Sequence, residues 1–418
     1  MNLIEEIQKL LAAKFSQRVL QWVKRAHWVT QLLILTLILT SPFAIVPAIK
    51  DPIGAWKKFT SLRHYWRAQT IIRFADQQPP FIPLSAGQKR DIDEAIIRLE
   101  DRLTEQVAGA LEGAESRSEP FSAWFAAQTI LALGTNFQKN PAQVIKYTSP
   151  YLDESESAYM EFAQQPSPMI PITAWMLYAK AKVNDESVKS TIKNNVGFLI
   201  KNKLTVNGTS FWTLYPPPKS RDPDRVASTY ATCWALLALN STPTNGLSEA
   251  EALVRAVKSG AEWLRTTRID ERCRWLDFPS KLTKSEQNES MTLSALALHT
   301  LHQIDKSEQT ALLAELDNMW LKGLSFPPPQ GQDREVSAVA GPYFFSGKEI
   351  WMKDASRHYK LPWMIIATRD AYHHGDYLAR TRALYWISSV IEQIHEAIKA
   401  TDKTPWVQAE LLIALKYL

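Results

Sequence analysis

Residues 211–240 read FWTLYPPPKSRDPDRVASTYATCWALLALN, and the reading of this stretch decides the fold. The run Tyr215-Pro216-Pro217-Pro218 stops one segment, the charged loop Arg221-Asp222-Pro223-Asp224-Arg225 follows, and Ala227 to Leu239 then runs without a charge. Rich in Ala and Leu, that last piece reads as a helix too apolar to lie on a surface. The same order recurs at Trp275-Leu276-Asp277-Phe278-Pro279 before MTLSALALHTL, which begins at Met291, and at Phe326-Pro327-Pro328-Pro329 before QGQDRE. A repeated order of aromatic, proline, charged loop and buried helix marks an internal repeat, each unit burying its apolar face against its neighbours.

Working outward, six largely apolar segments centre on 121–134, 172–181, 227–240, 290–301, 361–371 and 405–418. Amphipathic segments precede or separate them at 85–107, 142–163, 187–203, 248–267, 307–323 and 377–399. In the first, Ile92, Ile96, Leu99 and Leu103 form one stripe. Ser248 and Glu251 have the spacing of a capping box, and Gly375-Asp376 fits a helix stop followed at once by a helix start. Strand signals are nearly absent. Buried helices alternating with amphipathic ones predict an all-α ring, six inner helices wrapped by six outer ones in an (α/α)6 toroid spanning 85–418. An open α-solenoid is the alternative.

Two further pairs carry a resemblance. Ala261-Glu262-Trp263-Leu264 followed by Arg274-Trp275, and Val196-Gly197-Phe198-Leu199 followed by Asn207-Gly208 and Phe211-Trp212, resemble degenerate repeats of the terpenoid cyclase and protein prenyltransferase toroids, as does STYATCWALLALN. The resemblance implies the toroid fold and an isoprenoid or membrane-derived substrate. It also implies motifs that this chain lacks. Class II terpenoid cyclases protonate their substrate with DxDD, whereas the nearest string here, Asp91-Ile92-Asp93-Glu94, sits on the first amphipathic helix and reads as a solvated face. Prenyltransferase β subunits bind zinc through an Asp two residues before a Cys, and Cys233 has Ala231 there.

The N-terminal region reads differently. Residues 26–49 contain no Asp, Glu, Lys or Arg, a length that spans a hydrocarbon core of about 30 Å. One transmembrane helix is expected there, with residues 1–25 and 50–84 as basic flanks of interfacial character, the second ending in a Pro linker. Five Lys or Arg within twenty residues on either side leave the side of the membrane occupied by the toroid undecided.

Composition excludes several classes. With 45% apolar and 22% charged residues the chain is globular rather than disordered. A net charge of +5, spread along the sequence, gives nucleic-acid binding no support. Two cysteines, Cys233 and Cys273, with no metal-finger spacing, point to no disulfide framework and no zinc site. Asp370, His373 and His374 could be taken as metal ligands, but histidines at a helix end are explained by the helix dipole. No phosphate loop or nucleophile motif is present, so no cofactor and no metal are assigned.

What remains is one end of the ring. Aligning the apolar helices on their terminal leucines places Trp124, Tyr230, Glu289 and Trp406 at one equivalent position near the helix start, with Asp224, Arg225, Arg357 and His358 in the loops just before. Parallel helices would bring these to one charged, aromatic mouth over the positive helix ends. Such a mouth fits a partner protein's segment or an amphipathic, lipid-like ligand, and the same residues are equally explained as core aromatics and capping charges. A membrane-anchored, non-catalytic recognition protein is the first functional expectation. An isoprenoid- or membrane-substrate enzyme is the second. A glycan-processing enzyme is the third, with Asp224 and Glu289 as its carboxylates.

Overall fold

The computed structural model describes residues 82–117, 123–134, 151–153, 157–160, 168–182, 186–216, 227–268, 275–277, 291–305, 334–337, 340–345, 348–352, 356–374, 377–391 and 405–418, with a few single positions besides. The expected transmembrane segment 26–49 and the outer segment 307–323 lie outside these residues. No helix among the described residues is long and apolar enough to cross a membrane.

The apolar segments of the sequence become α2 (Ala123–Leu133), α3 (Ile170–Lys182), α5 (Thr229–Ser241), α7 (Met291–Ile304), α8 (Lys360–His374) and α10 (Pro405–Tyr417). Between and around them lie α1 (Ala86–Arg117), α4 (Glu186–Lys201), α6 (Ala250–Thr266) and α9 (Tyr377–Ile391). The inner helices pack in a closed circuit: α2 on α3, α3 on α5, α5 on α7, α7 on α8, α8 on α10, and α10 back on α2. This closure excludes the open solenoid. Outer helices lean on inner partners, α4 on α3, α6 on α5 and α9 on α8, while α1 meets α10 and α9.

The inner helices run parallel, because their last turns meet. Asn240 Nδ2 donates to the Gln303 carbonyl at 3.1 Å, and Lys416 Nζ donates to the Ala132 carbonyl at 2.7 Å. Lys416 also pairs with Glu100 of α1 at 2.6 Å, fastening the seam of the ring.

The repeat has a physical fastener. Trp212 Nε1 donates to the Leu199 carbonyl near the end of α4 at 2.7 Å, and Trp275 Nε1 makes the same bond to Leu264 of α6 at 2.8 Å. Each of these backbones also donates to a hydroxyl at the fourth residue of the next inner helix, Trp212 N to Thr232 and Trp275 N to Ser294. Tyr159 N bonds Thr173, the fourth residue of α3, in the same way. Gly260 of α6 is required by close approach, since a Cβ there would stand 2.7 Å from Leu236 Cδ2 and 3.1 Å from Trp212.

Several local expectations are corrected. The apparent Ser248–Glu251 capping box does not form: α6 starts at Ala250, Glu249 is its N-cap without a side-chain bond, and Ser248 Oγ donates to Glu249 instead. Strand pairing also exceeds expectation. The end of the expected helix 142–163 is a two-stranded antiparallel piece, β1 (Leu152–Asp153) with β2 (Ala158–Tyr159). Pro150 disfavours helix just upstream, and Ser157 takes a positive φ of 55° in the turn. A tighter hairpin joins β3 (Leu204–Val206) to β4 (Thr209–Phe211) through Asn207-Gly208, both with positive φ. Before α8, β5 (Arg334–Ser337) pairs with β8 (Ser356–Tyr359), and β6 (Ala340–Phe345) pairs with β7 (Lys348–Met352) between them. Arg357 and His358 therefore lie on a strand, opposite Val336 and Glu335, and not in a loop as expected.

Candidate functional site

Of the residues aligned in sequence on the inner helices, one pair can be followed in space. Trp124 and Tyr230 are the second residues of α2 and α5. Both are half-buried, and their rings stack with centroids 6.4 Å apart at 27°. Trp406 is likewise the second residue of α10, but its side chain lies outside the described residues, as do Asp224, Arg225 and Glu289. One predicted pair is thus brought together.

One turn further along, the sixth residues of α2, α3, α5 and α10 are Gln128, Trp175, Trp234 and Glu410. Trp175 and Trp234 stack at 3.6 Å between centroids, and Trp363 of α8 meets them edge-on from the far side of the ring at 6.4 and 5.3 Å. Three indoles therefore fill the axis below the mouth, and Tyr230 rests edge-on against Trp234 at 6.4 Å.

Among these aromatics sits a carboxyl group. Glu410 is 7% exposed and accepts from Gln128 Nε2 at 3.1 Å, with the Trp363 indole as a further donor. Burial pushes its pKa up to about 8, outweighing both hydrogen bonds, so the group is mostly protonated at neutral pH. Gln128 Oε1 and the indole nitrogens of Trp175 and Trp234 are buried without a hydrogen-bond partner. The Tyr230 hydroxyl lies near both indole nitrogens but does not satisfy them, and burial together with the Glu410 charge raises its pKa.

Asp277, in the loop before α7, organises the mouth. Its Oδ1 accepts from Ser228 Oγ at 2.8 Å and from Tyr230 N at 3.1 Å, capping α5 together with Ser228 itself, whose Oγ accepts from Ala231 N. A carboxylate suits this positive helix end. Desolvation nonetheless raises its pKa, with the two hydrogen bonds opposing.

The C-terminal end of the ring has another character. His299 Nδ1 lies 2.7 Å from Asp370 Oδ2, and Tyr417 OH donates to Asp370 Oδ1 at 3.1 Å. Gln303 Nε2 donates to Tyr417 OH at 3.0 Å, and the Arg369 guanidinium lies 4.3 Å above the Tyr417 ring. Tyr178 lies near both Asp370 and Tyr417, which places its ring across the axis from α8. Asp370 is engaged by His299 and Tyr417, and no group of three potential metal ligands occurs among the described residues. His373, expected at most to face a helix dipole, is held neutral at about 4 by burial and by the charges of Arg369 and His374. The Cys233 thiol is buried and its pKa raised by desolvation, consistent with a core residue.

Sequence reasoning passed over Glu410, Gln128, His299 and the pairing of Asp370. Their signal was present: each is a polar residue on an inner helix otherwise too apolar to face water. Lys180 of α3 belongs to the same class. It is fully buried and donates to Tyr159 OH at 2.8 Å and Asn195 Oδ1 at 2.9 Å, with desolvation lowering its pKa to about 7.

No family model matches the sequence, and no curated protein matches it. Among solved structures, a glycoside hydrolase of family 105 from C. acetobutylicum is 11% identical, with a TM-score of 0.43 over 72% of this chain and 99% of that one. Two variants of the type II terpene cyclase MstE from Scytonema are each 13% identical over 80% of this chain. One, bound to its product merosterolic acid A, has a TM-score of 0.46 and is covered over 99% of its length. The other, bound to its substrate geranylgeranyl dihydroxybenzoate, has a TM-score of 0.45 and is covered completely, at 100%. The ring itself rests on the helix contacts described above.

Proposed function

We propose that this toroid recognises a long-chain amphiphile at the mouth formed by the N-terminal ends of its inner helices, and that recognition there is not catalytic. One observation carries the reading: Trp175, Trp234 and Trp363 fill the axis beneath the mouth, leaving the half-buried pair Trp124 and Tyr230 as the accessible aromatic surface. Aromatic anchors dominate binding energy at such surfaces, and positive helix ends favour an anionic head group. An apolar segment at 26–49 with its basic flanks would hold the mouth near a source of such ligands.

The test uses a dansylated fatty acid, read by energy transfer from tryptophan. Saturable transfer that falls at least about tenfold in affinity in Tyr230→Ala, with the melting curve kept, supports the reading. Unchanged affinity refers the binding elsewhere. Displacement of the probe by peptides but not by free fatty acids would replace the amphiphile with a partner's apolar segment.

A second reading, an enzyme acting on an isoprenoid, is favoured by Glu410. A carboxyl group that keeps its proton up to about 8 among indole faces is suited to protonating a carbon–carbon double bond and to having cationic charge develop beside it. It requires the indoles to part for substrate. Conversion of a polyprenyl substrate by the wild-type chain, lost in Glu410→Gln, would establish it over the first.

A further inference from the structure

The C-terminal end of the ring holds chemistry that recognition at the other end leaves unused. His299 and Asp370 are both buried, at 5% and 1% exposure, and come from adjacent inner helices. Asp370 is held at both oxygens, by His299 Nδ1 at 2.7 Å and by Tyr417 OH at 3.1 Å, so its orientation is fixed. A proton on Nδ1 facing this carboxylate leaves the lone pair on Nε2, the arrangement that makes a histidine a directed proton acceptor. The imidazole is wedged between Trp363, at 6.3 Å, and Tyr417, at 5.6 Å, which restricts its rotation.

A cation stands beside the pair. Arg369 is packed over Tyr417 with Nη1 3.9 Å from Asp370 Oδ1, and its buried Nε has no hydrogen-bond partner. Arg369 and Tyr417 are half-buried and Gln303 is exposed, so the residues around the buried His299–Asp370 pair reach solvent at this end of the axis. Six helix C-termini converging here disfavour an anionic substrate.

We propose that His299 is the general base of a hydrolytic centre for small, uncharged carboxylic esters, with Asp370 as its positioning residue and Arg369 as the cation that meets the developing oxyanion. In the step, Nε2 takes a proton from water as the water oxygen bonds to the acyl carbon, and the carbonyl oxygen gains negative charge against the guanidinium. When the tetrahedral intermediate collapses, the bond to the leaving alcohol breaks and that oxygen receives the proton from Nε2. Acid and alcohol leave, and the neutral imidazole is restored.

The probe is p-nitrophenyl acetate with the full chain. Saturable release of p-nitrophenolate is expected, lowered about a hundredfold in kcat by His299→Gln. Asp370→Asn should lower kcat with KM little changed, while His302→Gln, a buried histidine on the same helix, leaves both as they were. A His299→Gln rate within about twofold of wild type overturns the assignment; so does a wild-type rate no greater than that of free imidazole at equal concentration. Because substitution of a buried pair can weaken the fold, diethyl pyrocarbonate is applied to the unaltered protein and its sites mapped by mass spectrometry. Modification of His299 that tracks loss of hydrolysis supports the centre, and an unmodified His299 in a protein whose hydrolysis is lost overturns it.

Discussion

The two halves of the inner ring solve the same problem in different ways. Both place a carboxyl group deep among helices, where an uncompensated charge is costly. In the N-terminal half, Glu410 keeps its proton and lies against indoles with one amide and one indole as donors. In the C-terminal half, Asp370 is surrounded by an imidazole, a phenol and a guanidinium. Neutralisation leaves the surroundings apolar and stackable, whereas compensation by partners demands a polar network with fixed geometry. A ring can therefore carry a greasy end and a polar end on the same six helices.

The largest effect expected from breaking this contrast comes from Trp234→Ala. It removes the residue that touches Trp175, Trp363, Tyr178 and Tyr230, and should cost about 4 kcal/mol in urea unfolding. Survival with only a small loss would mean that the indoles do not form a packed plug.

Asp370→Ala should follow, at roughly 3 kcal/mol, because it strips the buried imidazole and the Tyr417 hydroxyl of their shared acceptor. Glu410→Gln should be mild by comparison at acidic pH, and its signature is a pH profile. The folded state holds the Glu410 proton up to about 8 while the unfolded chain releases it near the ordinary glutamate value of 4.5. Between those values the folded state binds more protons, so wild-type stability falls as pH rises through the window. The variant should lack that component. Parallel profiles for the two proteins between pH 5 and 8.5 would show that Glu410 titrates normally.

The smallest effect is expected outside the ring. Arg255 and Glu251 form an i,i+4 pair on α6 with side chains 70% and 89% exposed, and Arg255→Ala should change stability by no more than about 0.5 kcal/mol. A larger loss would show that the outer face is itself an interface.

The ring was legible in sequence for a simple reason. Each inner helix is predominantly apolar and bounded by proline, glycine or charged loops, so its position and type follow from pattern alone; the expected 405–418 became 405–417. The second-position register that paired Trp124 with Tyr230 was legible for the same reason, since parallel helices of one repeat share a phase. The strands were not, because two- and three-residue pairings such as Leu152–Asp153 with Ala158–Tyr159 carry too little periodicity to separate from a loop. The polar clusters were not legible either. His299 and Asp370 are 71 positions apart and meet only because consecutive inner helices pack side by side, while Gln128 and Glu410 are 282 apart and become neighbours only when the ring closes.

That closure has a consequence for biogenesis. α2 packs on α10, so a helix emerging at residue 123 waits for a partner that begins at residue 405. At translation rates of 5–20 residues per second the wait is roughly 15–60 s. Throughout it α2 lacks the neighbour that covers one of its sides, while α3 already has α2 and α5 to pack against. The bonds of Lys416 to Ala132 and Glu100 are the latch that ends this wait.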